Sequence, residues 1–534
     1  GFVPREHEAL VMAIYSLPVG SRRHLFEWIS NDLINDAETL SESLINPLIS
    51  HINVHISVRK WTGQALRVCQ LLGKVVAMND KQDIPSVQYA KFYSNEAMQF
   101  NDQELGDMYT KWRSARRKKQ NTRSNPEFLL FEFPFLLSAG MKRRLMQLED
   151  MESMWRQTFA GMMLGKIPFF VLQVSRDNII ADTVLGLLTA NPKDLKKPLR
   201  VIFTDEEGVD AGGVKKEFFQ LLSSQLFHPD FGMFRSIEST NRIWFNPYRL
   251  ENHDLLPGYE DDSMVEFMLV GALIGLAIYN GTLLNVQFPG AMYQMLLGQF
   301  PSELGMKEMQ KFDPEVARQL QNLLNLESGE EVDAMYLFFE VSYNFLGEQR
   351  THELKKDGSS IPVTIANREE FVELYISYHM RDSVEKMSNA LIRGFNLLIP
   401  PHLAVLDLFH PAELELLIVG TQDLDFVALE KLCEYEGNYS ASSRVVRWFW
   451  KVIHELHQDQ KQKFLQFATG SPRAPVGGLK ELSFKIQRAG PDSDQLPSAH
   501  TCFNTILLPD YNSEEKLKRK LLYAINNCEG FFLE

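Results

Sequence analysis

The run Phe267–Tyr279, FMLVGALIGLAIY, is the strongest constraint on how this chain can fold. Thirteen apolar residues in a row must be covered. They are too few to cross a bilayer, which takes about 20, and Glu266 abuts their start. The run therefore reads as a helix buried in a protein core, and no membrane association is expected.

A body large enough to bury it is available. At 534 residues the chain has room for two to four domains. With 45% hydrophobic and 23% charged residues, its composition is that of an ordinary globular protein. A net charge of −14 argues against general nucleic-acid binding, which depends on clustered Lys and Arg. The four cysteines, Cys69, Cys433, Cys502 and Cys528, are too few for a disulfide framework, and none forms a C-x-x-C pair. That usage fits free thiols in a reducing compartment. Gly1–Glu8 has mixed charge and no signal-peptide pattern. The sequons at Asn280 and Asn438 matter only in a secreted chain. The expected setting is the cytoplasm, with the nucleus also open.

Apolar periodicity divides the chain into regions. Residues 1–80 form an amphipathic helical region. Leu10, Ile14 and Leu17 share a face, the pattern recurs in LFEWISNDLI and ALRVCQLLGKVVAM, and Pro47 separates two segments. Partner docking and simple packing are both open for it. Residues 81–169 form a helical extension. Within it, IPSVQYAKFYSNEAMQ reads as a strand–helix piece, and Trp112–Lys119 as a basic run that is a nuclear signal, an anion patch or a solvated helix end. Residues 170–420 alternate strands (FFVLQVSR, PLRVIFTD, RIWFNP) with helices (VKKEFFQLLSSQLF, FVELYISYHM, PAELELLIVG), a mixed α+β pattern. A hinge is expected at 420–423, where Gly420 ends a helix and Thr421, Gln422 and Asp423 are polar. A second compact unit follows at 424–534, with helices over Arg444–Leu456 and Ser513–Asn527 and strands near Ser483–Gln487 and Thr505–Leu508.

Most catalytic signatures are missing. Gly208–Gly213, GVDAGG, lacks the Gly-Lys-Ser/Thr ending of a phosphate loop, and His454, Glu455 and His457 fall one residue short of H-E-x-x-H. Cys502 stands out because it lies in LPSAHTCFN, between a polar Pro/Gly-containing stretch and the apolar strand TILLP. A loop thiol near positive charge can be activated, since the thiolate is the nucleophile. His500 and Arg473 are candidate neighbours. Local pattern alone leaves an idle thiol equally open. Cys69, on an apolar helix, reads as a core thiol, and Cys433 and Cys528 as packed or idle thiols near helix ends.

LPSAHTCFNTILLPDY, the upstream TGSPRAPVGG and the terminal GFFLE together resemble the catalytic end of HECT ubiquitin ligases. The resemblance continues in IFTDEEGVDAGGVKKEFF, GMFRSIESTNRIWFNP and LIGLAIYNGTLLNVQFP. It covers roughly 170–534, weakens back to about 84, and is most similar to the Angelman-syndrome ligase and its near relatives. It implies an α+β fold with two lobes: a larger, mostly helical amino-terminal lobe at 170–420 and a smaller α/β catalytic lobe at 424–534, preceded by an α-helical region. It makes Cys502 the residue that carries ubiquitin as a thioester, flanked by His500, Thr501 and Phe503. Arg473 lies near that loop, and Phe531, fourth from the end, is needed for ligation. Gly420, Thr421 and Gln422 become the inter-lobe linker. A ubiquitin-conjugating enzyme would dock on a subdomain near 299–380, in a groove formed by Val316, Leu320, Leu326, Tyr336 and Phe371, which plain core packing would also account for.

The implied partners are a conjugating enzyme, ubiquitin and protein substrates, with no cofactor or metal. Cys502 takes ubiquitin by thioester exchange, where positioning matters most, and a substrate lysine then attacks. A free lysine has a pKa of about 10.4, so an acid group or desolvation must help it lose its proton. Asp492, Asp494, Glu529 and Glu534 are the candidates. A binding scaffold without turnover and a cysteine hydrolase acting on ubiquitin conjugates are the competing readings. The second needs a positioned His and Asp/Asn, and His500 is too close in sequence to serve.

Overall fold

The computed structural model of the chain describes residues 45–57, 63–80, 89–123, 125–149, 169–191, 194–204, 213–248, 264–345 and 348–527, with a few single positions before 45. Leu10, Ile14, Leu17, LFEWISNDLI, GVDAGG up to Gly212, Cys528, Glu529, Phe531 and Glu534 lie outside the described residues, as does the side chain of Cys502. The chain divides into two compact units. The first comprises Gly1–Glu152, Met306–Val316 and Pro401–His410, and the second Ser153–Gly305, Ala317–Pro400 and Pro411–Glu534.

The first unit is helical where described. Helix α1 (Asn46–Ser57) starts with Pro47 in its first turn, where a missing N–H costs nothing. It buries Leu48, Ile52 and Ile56, and α2 (Gly63–Asp80) buries Val68, Cys69, Leu72 and Val76. Of the strand–helix reading of 84–99, residues 84–88 lie outside the described residues, and over 89–99 it is corrected to two 3₁₀ turns, Tyr89–Phe92 and Ala97–Gln99. Ser94 sets this shape, donating its N–H to the Leu136 carbonyl at 2.9 Å while its Oγ accepts from the Ala97 N–H at 3.0 Å. Helix α3 (Asp102–Arg117) ends in the basic run. Trp112 is buried with its Nε1–H on Glu132 at 2.8 Å, Arg116 pairs with Asp407 at 2.8 Å, and Arg116 and Arg117 complement the helix dipole. A further helix, α4, occupies 139–149.

The second unit is α+β. Strand β1 (Phe170–Val174), α5 (Ile179–Thr189) and β2 (Leu199–Phe203) form a parallel pair registered Phe170 to Leu199, with Leu172, Val174, Val201 and Phe203 buried. Helix α6 (Gly213–Leu226) follows, then the antiparallel pair β3 (Phe234–Ile237) and β4 (Arg242–Phe245). The constraining apolar run is α7 (Val265–Asn280), buried from Glu266 to Ile278 except for the half-buried Met268. No described helix is long and apolar enough to cross a membrane. Helix α8 (Gly290–Leu296), α9 (Pro314–Asn325, from Ala317 on), the hairpin β5 (Glu340–Phe345) and β6 (Glu348–Glu353), α10 (Arg368–Met380), α11 (Glu385–Leu398) and α12 (Pro411–Val419) complete this part.

Beyond Gly420 come α13 (Phe426–Leu432), β7 (Glu434–Glu436), α14 (Arg444–Glu455), α15 (Gln458–Thr469), β8 (Lys485–Arg488), β9 (Ser498–His500), β10 (Thr505–Leu508) and α16 (Glu514–Asn526). The four strands form one sheet ordered β7-β8-β10-β9, in which only β9 runs antiparallel to its neighbour. Val445, Val446, Phe449, Trp450 and Ile453 of α14 pack with Phe464, Phe484, Ile486, Ile506 and Leu521. Each such side chain contributes about 1.5–3 kcal/mol on burial.

Candidate active site

Cys502 sits at the middle of a 3₁₀ turn, Thr501–Phe503, between β9 and β10. Antiparallel pairing sets His500 opposite Thr505, so only four residues bridge two adjacent strands. Asn504 closes the turn in the left-handed region at φ +49, a conformation that Asn tolerates better than most side chains. Its N–H donates to the Thr501 carbonyl at 3.3 Å, and its carbonyl accepts from the Lys485 N–H at 3.1 Å. His500 and Phe503 are exposed and Thr501 is half-buried, so one side of the turn is open to solvent.

The other side is held by a residue that the sequence reading passed over. Lys216, in the first turn of α6, donates from Nζ to the Thr501 carbonyl (3.0 Å), to Asn504 Oδ1 (2.7 Å) and to the Thr469 carbonyl (3.2 Å). A cleft of about 440 Å³ lies beside the turn, lined by Lys216, Ser223, Leu283, Thr469, Arg473 and Thr501 among others. Arg473 belongs to this cleft, but its guanidinium reaches the Gly420 carbonyl at 3.5 Å. It also acts on Glu415, whose carboxyl burial raises and Arg242 and Arg473 lower.

The polar stretch after α12 is paired rather than loose. Thr421 N–H donates to the Ala474 carbonyl at 2.8 Å, and Ala474 N–H returns the bond at 2.9 Å. Gly420 has φ +86, and a Cβ there would overlap the Ala474 carbonyl, so both the turn and the close approach require glycine. The Gln422 carbonyl accepts from Gln458 at 3.1 Å.

Two of the acid candidates have lysine partners. Asp492 pairs with Lys516 at 3.0 Å, and Asp494 with Lys520 at 3.5 Å. His454 is on α14 while His457 caps α15, so the two do not share a helix face. No group of three His, Cys, Asp or Glu that could hold a metal occurs among the described residues.

Residues 220–534, more than half of the chain, match the HECT-domain (ubiquitin-transferase) family model. The chain belongs to the HECT family. The similarity to HECT proteins also reaches further towards the start of the chain. "Probable E3 ubiquitin-protein ligase HERC4" of Homo sapiens is 35% identical over 486 residues, 88% of this chain and 44% of that protein. "Probable E3 ubiquitin-protein ligase HECTD2" of Homo sapiens is 34% identical over 494 residues, 89% and 60% respectively. HERC3 of Homo sapiens is 34% identical over 479 residues, 87% and 44%. The chain thus spans roughly half the length of these relatives, and they do not single out the Angelman-syndrome ligase.

Of the expected groove residues in this HECT chain, Phe371 and Leu320 are buried, and Phe371 meets Phe339 edge-on at 5.6 Å. Leu326 and Val316 are half-buried. Tyr336 is 83% exposed, at φ +49, beside the exposed Met335. The apolar surface here is therefore carried by Tyr336 and Met335, with Phe371 behind in the core. No periodicity rule could separate these roles.

Proposed function

We propose that this HECT chain is a ubiquitin-protein ligase. It takes ubiquitin from a ubiquitin-conjugating enzyme as a thioester on Cys502 and passes it to lysine amines of substrate proteins. The Cys502 thiolate attacks the thioester carbonyl of the charged conjugating enzyme, whose own thiolate leaves. A neutral lysine amine then attacks the new thioester, an amide forms, and the Cys502 thiolate is released. The observation that carries this reading is the turn itself: Cys502 lies on a short strand-to-strand turn whose backbone is tied to α6 and which is open on its other side. His500, Thr501 and Phe503 flank the nucleophile, Arg473 orders the neighbouring cleft, and Phe531 acts in ligation. Residues 170–420 and 424–534 serve as the two lobes, joined at Gly420–Gln422. Asp492, Asp494, Glu529 and Glu534 are the candidates for assisting the substrate amine, and the first two lie next to lysines.

The test mixes the chain with ubiquitin, activating enzyme, ATP and a panel of conjugating enzymes. A ligase forms a ubiquitin adduct that thiols remove, a scaffold forms none, and a hydrolase shortens preformed chains.

For the docking region near 299–380, the expected outcomes separate two side chains. Tyr336→Ala removes an exposed aromatic and should weaken conjugating-enzyme binding about tenfold or more with the melting temperature unchanged. Phe371→Ala empties the core and should cost about 3–5 kcal/mol of stability. Calorimetric binding beside thermal unfolding checks both. Unchanged binding in Tyr336→Ala would move the docking surface elsewhere.

Thioester exchange and ligation need Cys502 in two places, and the proposed lobes must rotate between them. Thr421→Pro with Gln422→Pro fixes the backbone there and removes the N–H that Thr421 gives to Ala474. Transfer from a preloaded conjugating enzyme should slow about tenfold or more in single-turnover measurements, while binding stays near wild type. Wild-type transfer rates would show that rotation at this site is not required.

A further inference from the structure

Read as sequence, Lys216 is one more lysine on an amphipathic helix. In the structure its ammonium gathers three oxygens, the Thr501 carbonyl, Asn504 Oδ1 and the Thr469 carbonyl. Thr501 and Asn504 bracket Cys502 along the chain, so the charge lies within about two residue spacings of it, each about 3.8 Å. We propose that Lys216 is a positioning residue for the Cys502 nucleophile: it holds the turn in shape and sets its ammonium beside it, favouring thiolate over thiol. The inference rests on the reading of Cys502 as the thioester-forming residue.

Among the described residues, the other charged and titratable groups around the turn are paired with other side chains or lie on its open side. His500 is exposed at its start. Helix α15 presents Gln466 and Thr469 to the cleft, neither of which titrates. On β8, the Lys485 ammonium pairs with Glu434 and Glu436. Arg473 reaches Gly420. Among the described residues, Lys216 is the cation that contacts the turn directly. Nearby positive charge is the general means by which a cysteine becomes nucleophilic at neutral pH.

The measurement is the rate at which iodoacetamide alkylates Cys502 in the whole chain as a function of pH, followed on the Cys502 peptide by mass spectrometry. Lys216→Met should slow alkylation at pH 7 about tenfold and move the profile to higher pH. Lys216→Arg keeps the charge, although its planar fork cannot reproduce the three-way contact, and should stay within about twofold of wild type. Cys69, buried in α2, reports folding in the same samples, because it stays unreactive unless the chain opens. Lys216→Gln, which keeps two donors and no charge, must show the same shift as Lys216→Met and stands in for it if that variant unfolds. A Lys216→Gln or Lys216→Met profile that superimposes on wild type overturns the proposal, as does a Lys216→Arg profile displaced as far as that of Lys216→Met. Alkylation needs no ubiquitin. A wild-type chain that forms no ubiquitin adduct would therefore remove the ligase reading while this measurement still decides the role of Lys216.

Discussion

Cys502→Ala is expected to abolish the thiol-sensitive ubiquitin adduct completely, while Cys69→Ala, Cys433→Ala and Cys528→Ala retain it. The thiol chemistry of the other described cysteines supports this contrast. Burial pushes the Cys69 thiol well up, and the side chain faces the core of the first unit. Burial also raises Cys433 to about 12, and its Sγ–H donates to the Glu434 carbonyl at 3.4 Å. A thiol with a pKa of about 12 is ionised in roughly one molecule in 10⁵ at pH 7, which is too few for thioester exchange. The turn at 501–503 is held by bonds through Thr501, Asn504 and Lys216. Alanine should therefore remove chemistry and leave the fold. Non-reducing gels with and without added thiol read the result, and an adduct that persists in Cys502→Ala would end the proposed mechanism.

Elements whose burial follows a regular period were legible from the residues alone. Alternation in FVLQV and LRVIF appears as buried Phe170, Leu172, Val174, Leu199, Val201 and Phe203. The charge-free run at 267–279 is a helix with all but Met268 and Tyr279 buried, in keeping with a length too short for a bilayer. Gly420 ends α12 at positive φ, as a glycine placed after an apolar run suggests. Short segments decided by distant partners were less legible. The 89–99 stretch has residues suited to either helix or strand, and its hydrogen bond to Leu136 selects tight turns instead.

The site divides in the same way. Cys502 was singled out through its loop setting and the family resemblance. Lys216 was missed because its partners are 253 to 288 residues away in the chain, where no local spacing rule reaches. Phe371 shows the complementary failure. An aromatic residue on a helix of weak amphipathicity reads equally as an exposed anchor or as core, and the edge-on contact with Phe339 puts it in the core.

Gly394→Ala should be the most destabilising methyl added anywhere in α7 or α11, together with Gly271→Ala. A Cβ at Gly394 would overlap the Met268 carbonyl oxygen, and a Cβ at Gly271 would overlap the Leu391 carbonyl oxygen. The obstruction in each case is the backbone of the other helix, which cannot rotate away as a side chain would. The helices must separate, and Ala272, Leu391, Phe395 and Leu398, all buried, lose packing together. Overpacking commonly costs 1–3 kcal/mol, and backbone-to-backbone overlap belongs at or above the top of that range, about 3 kcal/mol. The expected readout is a melting temperature lower by roughly 5 °C or more, with early loss of hydrogen-exchange protection in α7. Gly290→Ala is the control: nothing lies within 4 Å of its Cβ position, so stability should hold or rise by about 0.5 kcal/mol. Because both glycines serve one crossing, the double variant Gly271→Ala/Gly394→Ala should cost clearly less than the two single losses added together. Full additivity would mean that each methyl is accommodated locally and that the close crossing of α7 and α11 is not what these glycines maintain.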